Sequence, residues 1–372
     1  MKYYLIAGEA SGDLHASNLM KALKSCDTEA TFRFWGGDRM SAVGGDLVKH
    51  HRDISFMGFA EVLANLRTIL GLLKRAKEDI RASRPDAVIL IDYPGFNLRM
   101  AKFCHELGIK VFYYISPQVW AWKKNRVHKI KRYVDRMFVI LPFEKDFYAD
   151  YHYSVDYVGH PLLDALPQIE LRDQGEWRRS HGLSEQPIIA LLPGSRTQEI
   201  PKILPVMLES ARSFPEYQIV IAGMKNLGEE FYAPYTSDEQ VHVILDETYD
   251  VLHNSEVAAV ASGTATLETA LFDVPQVVCY ETSWITYQIA KNLVNIKFIS
   301  LVNLIYGKEV IRELIQHEMN AKALTEELKR LLTGDGRERL LRQYDELRHL
   351  LGDGGASEKT AVEICKEMRT NE

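Results

Sequence analysis

Asp92 directly follows the apolar run Ala87–Ile91 and opens the turn Tyr93-Pro94-Gly95-Phe96-Asn97. A carboxylate at the end of a buried strand can take a proton from an attacking hydroxyl once its pKa is lifted toward the working pH. The same position suits an Asx turn or a helix cap. Gly8-Glu9-Ala10-Ser11-Gly12-Asp13 closes the run Tyr3–Ala7 and leads into a helical pattern. Glycines there let the backbone approach a ligand, and the N–H groups of a following helix favour an anion. Ser11 or Asp13 would equally serve as the helix cap. The segment is not G-x-G-x-x-G, and G-x-x-x-x-G-K-[ST] occurs nowhere, so dinucleotide and P-loop readings lose their usual support.

In the second half, Ile188–Leu192 runs into Pro193-Gly194-Ser195-Arg196. An arginine on such a loop can fork onto two phosphate oxygens, or be an ordinary surface side chain. Val257–Ala261 gives way to Ser262-Gly263-Thr264-Ala265-Thr266-Leu267-Glu268. Its amides and hydroxyls suit a diphosphate, and Glu268 suits ribose hydroxyls or a capping box. A diphosphate leaving group held by an arginine and such a loop is stabilised as its charge develops.

A third set of residues suits a lipid-linked substrate. Ser116-Pro117-Gln118-Val119-Trp120-Ala121-Trp122 precedes Lys123, Lys124, Arg126, Lys129, Lys131 and Arg132. Tryptophans beside cations can stack on a ligand or sit at a bilayer interface, although a basic run is also a plain solvated helix face. The segment from Phe56 and Met57 through Leu66, Ile69 and Leu73 is apolar enough for a monotopic membrane contact, and core packing would use it equally. No Asp-x-Asp and no His-x-x-x-His occurs, which points to chemistry without a metal.

These residues need a scaffold that brings strand ends together. Short apolar runs alternate with helix-length segments, the pattern of a parallel sheet. One series takes in Tyr3–Ala7, Phe32–Trp35, Ala87–Ile91, Lys110–Tyr114 and Met137–Ile140, and a second restarts at Ile188–Leu192. The spacing predicts an N-terminal domain over 1–165, a linker over 166–186, a second α/β domain over 187–320 and a helical segment over 321–372. In the 372 residues, 46% are hydrophobic, 26% are charged and the net charge is −6. That argues for a globular chain and against a nucleic-acid binder relying on overall positive charge. No run is long enough to span a membrane, and the apolar stretch after Lys2 is too short for a signal peptide. Cys26, Cys104, Cys279 and Cys365 are far apart without a C-x-x-C pair. They read as small buried hydrophobes in a reducing cytoplasm, with no disulfide framework.

Taken in order, these motifs, with Leu141-Pro142-Phe143-Glu144 and Gly159-His160-Pro161, closely resemble the lipid-A-disaccharide synthase family; Ser116–Lys123 is the most specific piece. The resemblance implies a GT-B fold, two Rossmann-like domains facing each other across a cleft. It implies inverting transfer of 2,3-diacylglucosamine from its UDP carrier to 2,3-diacylglucosamine 1-phosphate. The products are a β-1,6-linked disaccharide 1-phosphate and UDP, no cofactor or metal is needed, and the enzyme works at the cytoplasmic face of the inner membrane. A homodimer stays open.

By position, the resemblance makes Asp92 the base and Arg196 the diphosphate clamp. Gly194, Ser195, Gly263, Thr264, Ala265, Thr266, Glu268 and Asn303 would bind the UDP-sugar. Glu9, Ser11, Gly12, Asp13, Asn97, Ser116, Gln118, Trp120 and His160 would line the cleft. Phe56, Met57, Leu66, Ile69, Leu73, Trp122 and Lys123 would meet lipid. Val302 stands where the family has a proline before Asn303, and Arg312 where it has one before Glu313. Rival readings are a UDP-N-acetylglucosamine 2-epimerase, a transferase for another lipid acceptor, and a nucleotide-sugar binder without catalysis. The tryptophan-basic block argues against the first two, and a base at Asp92 against the third.

Overall fold

Aliphatic and β-branched runs form the strands, and the chain builds two parallel sheets from them. The structure, a computed structural model, describes residues 1–54, 66–236, 238–283, 287 and 297–370. The first sheet contains β1 (Lys2–Ala7), β2 (Thr31–Gly36), β3 (Asp46–His50), β4 (Ala87–Ile91), β5 (Lys110–Tyr114), β6 (Arg136–Val139) and β7 (Asp156–Tyr157). Its order is β3-β2-β1-β4-β5-β6-β7. The second contains β8 (Ile188–Leu192), β9 (Gln218–Gly223), β10 (Val241–Leu245), β11 (Ser255–Ala261), β12 (Gln276–Tyr280) and β13 (Glu313–Ile315). Its order, β10-β9-β8-β11-β12-β13, repeats the pattern. Each is the doubly wound Rossmann arrangement, whose order reverses between its first and fourth strands.

Three strands carry no apolar run that the sequence pattern could register. β3 is an edge strand bearing Asp46, Lys49 and His50, and β7 and β13 are only two and three residues long. The central strands β4 and β8 are buried throughout, as a sheet covered on both faces requires.

In the first half, α1 (Ala10–Cys26) and α2 (Asp38–Val43) follow β1 and β2. The helix α3 (Leu66–Ser83) precedes β4, and α4 (Pro94–Glu106) starts with Pro94 in its first turn. The 166–186 stretch, expected to be a linker, carries α5 (Gln174–Ser180), capped by Asp173 and burying Trp177 in the second core. In the second half, α6 (Ala265–Leu271) follows β11 and α7 (Leu301–Tyr306) precedes β13.

The tail divides as well. The two compact units are residues 1–168 with 351–372, and residues 169–350. The last helix, α8 (Ala356–Thr370), therefore belongs to the first unit, where Ala361, Ile364 and Met368 join Leu19, Leu23, Phe112 and Phe138 in one core. Asp164 caps it, accepting from the Gly355 N–H at 2.5 Å and the Ser357 N–H at 3.1 Å. This return also corrects the expectation for the cysteines. Cys26 at the end of α1 and Cys365 in α8 form a disulfide, with Cα atoms 6.6 Å apart across a separation of 339 residues. Cys104 and Cys279 are free and buried, as expected.

Candidate active site

Open α/β sheets bind ligands beyond the carboxyl ends of their strands, where the strand order reverses. In the first unit β1 pairs with β4, Ala7 beside Ile91. The Gly8–Asp13 turn and Asp92, about eighty residues apart in sequence, thus emerge side by side. In the second unit β11 pairs with β8, Val260 beside Leu192. That register sets the Gly194–Arg196 loop next to the Ser262–Glu268 loop.

Asp92 is half-buried. Burial, then the charge of Glu9, pushes its pKa up to about 7, against a hydrogen bond from the Tyr93 backbone. Asp92 and Tyr93 both adopt left-handed backbone, with φ of 42° and 46°. Gly8 is glycine because Tyr93 lies on it: a Cβ there would overlap the phenol ring. The Tyr93 hydroxyl donates to the Ile54 carbonyl at 2.8 Å. Glu9 is half-buried at the α1 N-cap, and Ser11 and Gln118 are exposed.

Several residues expected to line the cleft have other commitments. Asp13 is buried and caps α2, accepting from the N–H groups of Gly37 at 2.6 Å, Arg39 at 3.0 Å and Met40 at 3.2 Å. Gly12 packs α1 against Ala7 and Ile91. Asn97 is fully buried, its amide donating to the carbonyls of Asp92 at 2.8 Å, Ile91 at 3.1 Å and Ile6 at 3.4 Å. His160 is buried, and its Nδ1 accepts from the Leu162 N–H at 3.3 Å. Burial and neighbouring His15 push its pKa down to about 3, so it is neutral. Each backbone group needed a local partner, and these short polar side chains supply it.

Ser116 and Trp120 are buried within the Ser116–Trp122 segment. Ser116 Oγ lies 2.8 Å from the Tyr148 hydroxyl, and Trp120 stacks edge-on against Phe143 at 5.0 Å. Beside them Glu144 is buried, accepting from the N–H groups of Leu141 at 3.0 Å and Ile140 at 3.2 Å. Burial pushes its pKa up to about 7. In the sequence, Glu144 shows only as part of a family motif.

In the second unit, Gly194 takes a φ of 87° that L side chains rarely adopt, and Ser195 and Arg196 are exposed after it. Arg196 Nη1 donates to Glu199 Oε1 at 2.8 Å. Gly263 and Thr264 are exposed at the neighbouring loop, Ala265 is half-buried, and buried Thr266 donates its hydroxyl to the Gly263 carbonyl at 2.8 Å. Burial raises the pKa of half-buried Glu268, and the Tyr249 hydroxyl donates to it at 2.8 Å. Nothing in the sequence around Tyr249 signals that contact.

Asn303, expected to bind the nucleotide, has its side chain committed within the second unit. It is fully buried, donating to the Ile311 carbonyl and Glu313 Oε1 at 2.8 Å each. It accepts from the N–H groups of Val310 at 2.7 Å and Ile311 at 3.0 Å. This amide staples α7 to β13, with both of its N–H donors and its carbonyl oxygen engaged.

Of the expected lipid contacts, Phe56 and Met57 lie outside the described residues, as does the Leu66 side chain. Leu73 is a core residue, 6% exposed among Ala76, Ile80 and Phe103. Ile69 is half-buried, packed against that core, and Leu70 is exposed. Trp122 is 41% exposed, with Lys123 Nζ 4.0 Å from its ring centroid and the Arg126 guanidinium at 5.7 Å. Among the described residues no helix is long and apolar enough to cross a membrane. Nor, among them, does any cluster of three or more His, Cys, Asp or Glu suit a metal ion.

Two Rossmann-like halves, each with paired loops at its switch point, make this an α/β protein of the GT-B fold. A UDP-GlcNAc 2-epimerase from Neisseria meningitidis, solved with UDP-GlcNAc, superposes with a TM-score of 0.71 at 14% identity, covering 98% of this chain and all of that one. The kitacinnamycin glycotransferase superposes with a TM-score of 0.67 at 15% identity, over 99% of both chains. The chain belongs to the lipid-A-disaccharide synthetase family, whose model matches residues 3–364. The lipid-A-disaccharide synthase of Myxococcus xanthus is 41% identical over 370 residues, 97% of this chain and 96% of its own. Membership makes the protein a glycosyltransferase of lipid A biosynthesis.

Proposed function

We propose that the protein joins UDP-2,3-diacylglucosamine to 2,3-diacylglucosamine 1-phosphate, forming the β-1,6-linked disaccharide 1-phosphate and releasing UDP. Asp92 takes the proton of the acceptor hydroxyl as its oxygen attacks the anomeric carbon. The bond to the UDP oxygen breaks on the opposite face, inverting the centre, and its electron pair stays on the diphosphate. Arg196 leaves Glu199 for that diphosphate, with Gly194, Ser195, Gly263, Thr264 and Ala265 around it, so no metal is required. Glu268, oriented by Tyr249, accepts from the ribose.

Trp122 and Lys123 meet the inner-membrane surface at its cytoplasmic side, where both acylated sugars reside. The observation that carries the reading is the placement of Asp92 beside the Gly8–Asp13 turn at the β1/β4 switch point of a chain from this family. Incubating the protein with both acylated sugars in EDTA should yield UDP and a disaccharide by mass analysis. Conversion of UDP-GlcNAc to its 2-epimer without a disaccharide would select the epimerase reading.

A further inference from the structure

We infer that Tyr113 is a positioning residue for the base: its hydroxyl and the Asn97 amide together clamp the Asp92 carbonyl and so aim the carboxylate. The inference rests on the reading of Asp92 as base. Two consecutive L residues, Asp92 and Tyr93, are left-handed, and such strain persists only where the surroundings over-determine it. The Tyr113 hydroxyl reaches the Asp92 carbonyl at 2.5 Å and Asn97 Nδ2 reaches it at 2.8 Å. The Asp92 N–H donates to the Tyr114 carbonyl at 3.2 Å. The neighbouring strand β5 thus holds both backbone polar groups of the base, while Asn97 also reaches the Ile91 and Ile6 carbonyls.

Tyr113 and Asn97 are both fully buried, out of substrate's reach, so they act through Asp92 and not on the sugar. Burial and the neighbouring Asp92 charge hold the Tyr113 phenol protonated, against the Arg126 charge, so it remains a donor throughout the assay range. The charged and titratable groups bearing on Asp92 are Glu9 beyond β1 and Tyr113 on β5, and the Tyr93 backbone N–H donates to it.

Tyr113→Phe removes one oxygen and keeps the packed ring. Its kcat should fall roughly 10- to 100-fold, the scale of a reacting group misplaced by about an ångström. KM for the UDP-sugar should hold, and the acid limb of the pH profile should stay in place, since the burial and Glu9 charge acting on Asp92 are untouched. On the Asp92→Asn background the same change should cost nothing further, which a general loss of structure would not reproduce. Asn97→Leu, which removes the other donor, should show the same split if it folds. Wild-type kcat in Tyr113→Phe, or losses that multiply in the double variant, overturns the inference. A fully active Asp92→Asn single variant would instead overturn the reading of the base itself.

Discussion

Glu9 bears electrostatically on Asp92, and it does so because Ala7 and Ile91 are register partners in the β1–β4 ladder. Two carboxylates that leave adjacent strands in the same direction cannot both ionise freely. Burial and that neighbour together move Asp92 into the range where a carboxylate is a useful base at neutral pH.

A pH profile should follow from this pair. In the proposed mechanism the ionised carboxylate is the active form, so kcat/KM should rise with pH through about 7 and then level off. Asp92→Asn should lose roughly 10²–10⁴ in kcat while UDP affinity holds. Stability should run the other way. The folded chain keeps the proton that an unfolded carboxylate loses above 3.8, so stability falls as pH rises from there to about 7. Glu144 adds to the fall in the same window, so the comparison is between variant and wild type at each pH. Melting scans should show Asp92→Asn gaining on wild type between pH 5 and 8.

Arg196 is mostly exposed and paired with Glu199, so its removal should leave the fold intact. Arg196→Ala should lower kcat/KM by roughly 10²-fold, the scale for losing one donor to a developing oxyanion. Arg196→Lys should recover little of it, because an ammonium cannot present the planar fork. Full activity in the lysine variant would remove bidentate recognition from the mechanism.

Asn303→Ala should behave as a stability variant. It strands the Val310 and Ile311 N–H groups and takes a donor from Glu313, at about 1–3 kcal/mol for each buried group left unpaired. Denaturant melts should register the loss, and the UDP affinity of the folded fraction should match wild type by calorimetry. A selective loss of UDP affinity would restore Asn303 to the nucleotide site.

The residues proposed to meet lipid divide in the same manner. Trp122→Ser should weaken binding to anionic vesicles by several-fold, with high salt weakening it further. Leu73→Ala should cost about 2–5 kcal/mol of stability and leave vesicle affinity alone. Co-sedimentation and thermal melting separate the two.

Much of the fold was legible because buried parallel strands must be continuous apolar runs. Ala87–Ile91 and Ile188–Leu192 announce themselves, whereas β3 and β13 are polar or short and do not. The catalytic candidates were legible for a related reason: Asp92 and Arg196 sit at strand ends, where glycine and proline mark the turn. Asp13, Asn97, His160 and Asn303 share those local signals, yet the fold commits them to backbone groups. Whether such a side chain meets a backbone group is set by how the surrounding turns fold: Leu162 for His160, Val310 and Ile311 for Asn303, and the more distant Gly37 for Asp13 and Ile6 for Asn97.

The residue order by itself determined two Rossmann-like halves and the family, and it nominated Asp92 and Arg196 for the proposed chemistry, since periodicity and motif are local properties of the chain. Only the tertiary structure decided that the last helix returns to the first unit to meet Cys26, that Leu73 is core, and that Tyr113 grips Asp92. Those depend on strand register and on elements far apart in the chain, and no local pattern encodes a contact between them.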